Sequence, residues 1–484
     1  MTVSPPKSGE IRCSKRPYPS AGVGRFFRKG MKEASVGRVF SKYVFFNVLG
    51  MIALSCYFLA DTFFIANGVG DLGLAALTLT LPAFSVVNGV GLMLGMGGGT
   101  RYSIFVAEGK LDKANAAYTQ TVITAGVSSV VFMAIGAGAT SQISSLLGAD
   151  AETLSYAVEY LRTLMLFSPL FIYNNVFLGF LRNDGAPRLA MAGMVVGSLT
   201  NVVLDYVFVM PLGMGMFGAA LATCIAPIIS LCFQSAHFWR KKNSFHCVKV
   251  RLSPREAGKI SALGVSAFLT EFSWGVVMLV FNSILLGLVG NVAVSAFGVV
   301  ANIYLVVIAI FTGVSQGSQP VESTYYGRGD RKKLRKTLVY AMITAFAFGA
   351  VAFTVCAVWA EEIAALFNSA GVPEFNEIAA QGMRLYYIGF LFAGVSMIIA
   401  NYLSATDTPK PSFAITATRG LVAIIPLAFL MSHFAGLTGV WLSFPAAELI
   451  GLLVAVVMLI YTNKKRTLAP LDALLVYRRA RSPL

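Results

Sequence analysis

The sequence predicts an all-α polytopic membrane protein, with twelve transmembrane helices in two pseudo-symmetric six-helix bundles around a central cavity. Three observations predict it. The first is composition: of 484 residues, 56% are hydrophobic and 12% charged, where a soluble domain carries about 25% charged residues. Too little polar surface remains to face water. The second is that apolar runs of about 20 residues, long enough to span a bilayer as helices, recur along the whole chain. Backbone groups must be satisfied internally in lipid, so such runs are helices; the strands of a barrel would alternate over about ten residues. The third is an alternation of charge between successive loops.

The helices are predicted at 43–68, 74–100, 115–139, 160–181, 188–210, 217–239, 260–287, 293–318, 337–360, 384–404, 411–431 and 438–461. All but three of the 38 Lys and Arg lie before the first helix, in alternate loops, or after the last helix. The exceptions are Arg162 and Arg384 at helix starts and Arg419 inside a helix. The intervening loops, such as 140–159 and 361–383, carry no Lys or Arg and hold acids instead, among them Asp150, Glu152, Glu361 and Glu374. Basic loops are retained in the cytoplasm, so both termini are expected there and the helix count is even. Residues 1–42 are basic and lack the apolar stretch of a signal peptide. They read as a disordered cytoplasmic N-terminus, in which Met31 is an alternative start to Met1. The N-terminal bundle is then 43–239, a basic cytoplasmic linker 240–259, the C-terminal bundle 260–461, and a basic cytoplasmic tail 462–484. The net charge of +16 is thereby assigned to anionic lipid headgroups, not to nucleic acid. The six cysteines have no CxxC spacing, so neither a disulfide framework nor a zinc site is expected.

The chain resembles itself at a shift of about 220 residues. Gly70, Gly97, Ser103 and Gly109 face Gly290, Gly317, Ser323 and Gly329 at a shift of 220. Leu181 and Pro187 face Leu403 and Pro409 at 222, and Gly215, Gly218 and Leu221 face Gly436, Gly439 and Leu442 at 221. Each half has an even number of helices, so the repeat is parallel, about an axis along the membrane normal. Such repeats enclose a midplane site and give alternating access by rocking.

Ionisable groups within membrane helices are costly and are functional candidates by default. Here they are Asp61, Asp205, Glu271 and Glu448, with Arg419 as the one deeply placed cation. Asn201 lies one turn from Asp205 on the same face. With Asp61 and Thr223 these two residues fall in the outer half of the first bundle. Two carboxylates with amide and hydroxyl oxygens suit Na⁺; neighbouring carboxylates also favour holding H⁺. Asp61, Asn201, Asp205 and Thr223 are therefore the expected cation-coupling set, and the metal ligands if the ion is Na⁺. At the aligned positions of the second half stand Phe281, Leu427 and Phe444 in place of Asp61, Asp205 and Thr223, so one ion site is expected. Glu271 is the expected contact for a cationic substrate. Arg419 and Glu448 are placed to form an ion pair. Gly213-x-Gly215-x-x-Gly218 matches a dinucleotide fingerprint, but a short loop between two spans lacks the βαβ context that motif needs. No GxxxxGK[ST] or HExxH occurs; an enzyme is not expected, nor any cofactor beyond the coupling ion.

Several stretches over residues 40–462 resemble the multidrug and toxic compound extrusion (MATE) family, nearest its bacterial DinF/MepA-like branch. They are Ala60 to Ile65, Leu181 to Arg188, Asn201 to Asp205, Gly215 to Thr223, and Gln316-Gly317-Ser318-Gln319-Pro320, which is similar to a QG-x-QP element. The resemblance implies a V-shaped fold with a central cavity. It also implies antiport of small lipophilic organic cations against Na⁺ or H⁺ across the bacterial inner membrane, and it adds Asn175 as a cavity asparagine. Phe, Tyr and Met are expected on the cavity wall, and a monomer is expected to be the functional unit. One departure stands out: residues 385–403 contain no acid, whereas some members carry an aspartate in helix 10. The alternative reading is a flippase for a lipid-linked saccharide or other amphiphile, which requires a groove with several basic residues.

Overall fold

The structure, a computed structural model, describes residues 35–368 and 372–468. Met31 and most of the predicted disordered N-terminus lie outside the described residues, as does the end of the tail. Among the described residues all regular structure is helical. In the first half α1 (Val36–Gly68), α2 (Asp71–Ala107) and α3 (Leu111–Gly138) are long. A short α4 (Thr140–Leu146) precedes α5 (Leu154–Leu166), α6 (Ser168–Asn183), α7 (Pro187–Val209) and α8 (Gly215–Trp239). The second half runs α9 (Pro254–Leu288), α10 (Asn291–Gly327), α11 (Arg331–Val358), a short α12 (Ala360–Phe367), α13 (Pro373–Tyr386), α14 (Phe390–Ala405), α15 (Pro409–Ala417) and α16 (Ile424–Leu468).

The repeat is written in the backbone. The helices α2 and α10 have the same 37-residue length, and α3 and α11 the same 28. Both α2 and α10 follow a glycine in a conformation that side-chain-bearing residues avoid, Gly70 at φ 91°, ψ −168° and Gly290 at φ 98°, ψ −160°.

By length and composition ten elements can cross a membrane, or eleven if α5 and α6, bent by 51°, form one span. The predicted single helix 160–181 is that broken pair; Pro169 lacks an N–H and clashes with the preceding turn, so the chain bends there. The remaining difference from twelve lies in 409–464, counted as one element. Gly436 within it is not helical (φ 55°, ψ −134°). Gly439 abuts the Met431 backbone and Gly451 abuts Arg419, so the two arms fold back antiparallel.

Three predicted boundaries are corrected. First, α1 begins at Val36, so residues 36–42 are not disordered: the Ser35 side chain caps the helix through Arg38 N, and Val36, Val39 and Phe40 join the hydrophobic core of the second half. Second, α10 runs to Gly327 beyond the predicted 318. Third, α9 begins at Pro254, with Ser253 as its N-cap. The rest of the linker is docked on the first half. Ser244 N donates to Asp184 (2.9 Å), His246 N to Asn115 Oδ1 (3.1 Å), Val248 N to Thr119 Oγ1 (3.0 Å) and Ser253 N to Gln120 Oε1 (3.3 Å). Phe245 is fully buried among Tyr118, Phe180 and Phe238.

The halves meet backbone to backbone along α2–α9 and α1–α10, near the basic-loop ends. A methyl group at Gly97 or Gly264 would collide with the Ile260 or Met93 carbonyl, and one at Gly313 or Gly317 would crowd Val48 or Val44. Small residues let helices approach in this way. Arg101 closes the same end with Glu256 (3.2 Å) and Asp407 (3.9 Å) of the second half.

Candidate functional site

Beyond these contacts the helices part around a cavity with about 1960 Å³ of non-protein space, its open part included. Its wall is mostly apolar, with Tyr57, Phe58, Phe84 and Phe171 beside Met51 and Met194, the residue types expected, and with Trp274 in addition. Two carboxylates face it, Asp61 from α1 and Glu271 from α9.

All four predicted cation-coupling residues are buried in the first half. Asp61 and Thr223 are on the cavity wall. Asn201 and Asp205, one turn apart on α7, are fully enclosed behind it. Asn201 Nδ2 donates to Thr223 Oγ1 (3.4 Å). Tyr160 lines the same cavity wall as Asp61 and Thr223. Four acceptor oxygens have no hydrogen-bond partner: Asp61 Oδ1, Asn201 Oδ1 and both oxygens of Asp205. A buried acceptor without a donor costs about 1–3 kcal/mol, more if charged. Binding a monovalent cation or a proton removes that cost. The donor set fits Na⁺, a hard cation that takes oxygen ligands.

Glu271 and Asn175 share no direct hydrogen bond; Asn88 joins them. Asn175 Nδ2 donates to Asn88 Oδ1 (2.8 Å), and Asn88 Nδ2 donates to Glu271 Oε1 (2.8 Å). This chain crosses from the first half to the second. Sequence reasoning missed Asn88, which is one amide in a long apolar helix, and it missed Tyr160, which was placed at a helix end.

Two stretches singled out in the sequence meet each other at the cavity floor. Arg182, counted there as a loop residue, is buried: its Nε donates to Leu178 O (3.1 Å) and its Nη1 to Gln316 Oε1. Asn183 and Gln319 exchange hydrogen bonds (3.1 and 3.3 Å), and Gln319 Nε2 also donates to Thr100 Oγ1 (2.7 Å). The basic end is thus closed by polar contacts between halves. Glu322, one turn further along α10, is fully buried with neither carboxylate oxygen hydrogen-bonded. The predicted helix end at 318 hid it.

The MatE family profile matches residues 48–207 and 266–430, one segment in each half. The chain belongs to the MatE family. It is similar to Multidrug export protein MepA of Staphylococcus saprophyticus, 28% identical over 438 residues, covering 88% of this chain and 95% of that one. Similarity to the same-named protein of Staphylococcus aureus strain MRSA252 is 25% over 426 residues, covering 87% and 92%. Among solved structures, an outward-facing multidrug resistance MATE family transporter of the MOP superfamily superposes with a TM-score of 0.82 at 23% identity, covering 89% of this chain and 96% of that one. A MOP superfamily transporter from Pyrococcus furiosus gives 0.81 at 23%, covering 90% and 97%. As a MatE protein the chain is a multi-pass membrane transporter and not an enzyme.

Proposed function

We propose that the protein is a secondary active antiporter that exports small lipophilic organic cations in exchange for Na⁺ or H⁺ by alternating access. The observation that carries this reading is the acid cluster: Asp61 faces the cavity with Oδ1 unpaired, and Asp205 behind it has neither oxygen paired. A monovalent cation or proton taken up there supplies the partner these oxygens lack. It also changes the charge that a cationic substrate meets in the same cavity. Glu271 supplies a second anionic contact, and a substrate cation reaching it competes with Asn88 across the two halves. Aromatic faces and methionines hold the apolar part of such a cation without demanding one shape. Each inward elementary charge contributes about 2.3 kcal/mol per 100 mV of membrane potential.

Export fits the names of the relatives, which are multidrug export proteins. Both termini are assigned to the cytoplasm of a bacterial inner membrane on the charge alternation, and the working unit to a monomer. A lipid-linked saccharide flippase is disfavoured. Among the described residues the cavity wall carries one basic side chain, Arg182, already bonded to Gln316.

The test is ethidium efflux from vesicles holding the purified protein, with Na⁺ and pH gradients imposed separately. One gradient drives efflux in the wild type and fails to do so in Asp61→Asn. Efflux that ignores both gradients, or that survives intact in Asp61→Asn, defeats the reading.

A further inference from the structure

A second, smaller chamber opens in the C-terminal half, sharing Thr270, Trp274 and Tyr304 with the wall of the main cavity. At its centre is the buried pair Arg419–Glu448. Arg419 Nη2 donates to Glu448 Oε1 (2.6 Å) and Nε to Oε2 (2.9 Å), with Ser396 Oγ adding a bond to Oε2 (3.3 Å). Both oxygens of this carboxylate are therefore satisfied, unlike those of Asp205. The walls are aromatic: Trp274 stacks on Tyr304 with ring centroids 4.7 Å apart, and Tyr386 on Phe444 at 4.2 Å. The titratable groups around Glu448 in the chamber are Arg419, Tyr304 and Tyr386. A carboxylate among aromatic faces is a setting that attracts cations.

The internal repeat shows what Arg419 replaces. The shift of 222 that aligns Pro187 with Pro409 sets Gly197 against Arg419, and the shift of 221 that aligns Gly218 with Gly439 sets Ser230 against Gly451. The structure bears out this register. A Cβ at Gly197 would lie 3.2 Å from Ser230 Cβ, and one at Gly451 would lie 2.7 Å from Arg419 Cβ. The same helix crossing occurs in both halves, with the glycine moved from one helix to the other. In the first half the bare position leaves open cavity; in the second, the room made by Gly451 is filled by the arginine stem. Arg419 sits on a π turn, Thr418–Val422, a local widening that is frequent at functional sites.

We infer that the C-terminal half carries a monovalent-cation site of its own, built on Glu448 and its aromatic walls, and that Arg419 fills it permanently from within. The tethered guanidinium does for Glu448 what an exchangeable ion does for Asp61 and Asp205. The inference rests on the proposed ion exchange in the first half. It says why that half alone carries the exchange.

The experiment uses the purified full-length chain in detergent and follows its thermal midpoint. NaCl is varied against KCl at constant ionic strength, pH is varied at fixed salt, and low millimolar guanidinium chloride is added as an untethered substitute. A ligand that binds only the folded state raises the midpoint with its concentration. In Asp61→Asn/Asp205→Asn the dependence on Na⁺ should disappear, and that on H⁺ should fall to what the remaining acids, Glu271 and Glu322, contribute. Adding Arg419→Ala to that background should restore a dependence on Na⁺, H⁺ or guanidinium, and adding Glu448→Ala as well should remove it. Recovery of folded Arg419→Ala only in the presence of one of these cations supports the inference equally. A Na⁺ dependence that persists in Asp61→Asn/Asp205→Asn, or a pH dependence there as large as in the wild type, defeats the proposed coupling site instead. If neither holds but Arg419→Ala adds no dependence on any of the three cations and matches the variant also lacking Glu448, the permanently filled site is overturned.

Discussion

The two halves use one scaffold for opposite ends. Where the first places Asp61, Asp205 and Thr223, the second places Phe281, Leu427 and Phe444. Phe281 is fully buried and stacks on Phe297 at 5.4 Å; Phe444 stacks on Tyr386. At these aligned places the first half keeps buried acceptors without donors, which lower its stability, while the second packs apolar side chains; the unpaired acid of the second half, Glu322, lies instead at the closed basic end. The difference teaches that duplicating a bundle does not duplicate its chemistry. Charge left unpaired beside the cavity in one copy is what the proposed exchange would use; the Arg419–Glu448 charge of the other is held by its partner.

The comparison breaks first, if at all, at the ion pair. Glu448→Ala leaves a buried guanidinium without its partner and should cost about 3–5 kcal/mol, read as a large fall in the thermal midpoint. Phe444→Ala should cost about the same, about 3–5 kcal/mol for a buried aromatic, while leaving the ion dependence of efflux unchanged. If Phe444→Ala altered that dependence, the division of labour would be wrong. Asp61→Asn should do the reverse. Ion-driven dye efflux should fall about 100-fold, the scale of losing one contact to a charged group at about 1.5–3 kcal/mol. The thermal midpoint should hold or rise, because an unpaired carboxylate has been neutralised. The smallest effect is expected at the shared floor. Gln319→Ala removes contacts to Asn183 and Thr100, about 0.5–1.5 kcal/mol each. It should speed thiol labelling of a cysteine placed at buried Ser103 several-fold, since the basic end opens more often.

Much of the fold was legible because lipid enforces it. Apolar runs, alternating basic loops and the 220-residue shift each mark one dimension of the chain, and the helices follow them. Boundaries were less so, since α1, α9 and α10 continue past the hydrocarbon on polar or mixed residues that find partners in the other half. Arg182 read as a loop charge because α6 likewise runs past its predicted end, to Asn183, and Glu322 as lying beyond its helix. The acid cluster was legible because carboxylates are rare in such a chain and Asn201 repeats Asp205 at one helical turn. Asn88 was not: nothing in the spacing around it says that Glu271 and Asn175 both lie within its reach. The exchange of Gly197·Ser230 for Arg419·Gly451 needs two slightly different shifts applied to two helices at once, and it becomes visible only when the helices are seen to cross.

The docked connector sets how the molecule can move. Phe245 is wedged into the first half, and four backbone N–H groups between 244 and 253 are held by its side chains. The stretch is therefore a bracket bolted to one arm, with little slack to give. Beyond the bracket α9 starts at Ser253 and Pro254 and stays tied to the same arm by the Arg101–Glu256 pair and by the close approach at Gly97 and Gly264. A swing of the second half that carries Glu271 must therefore bend or slide α9 past these ties, and cannot simply stretch the connector.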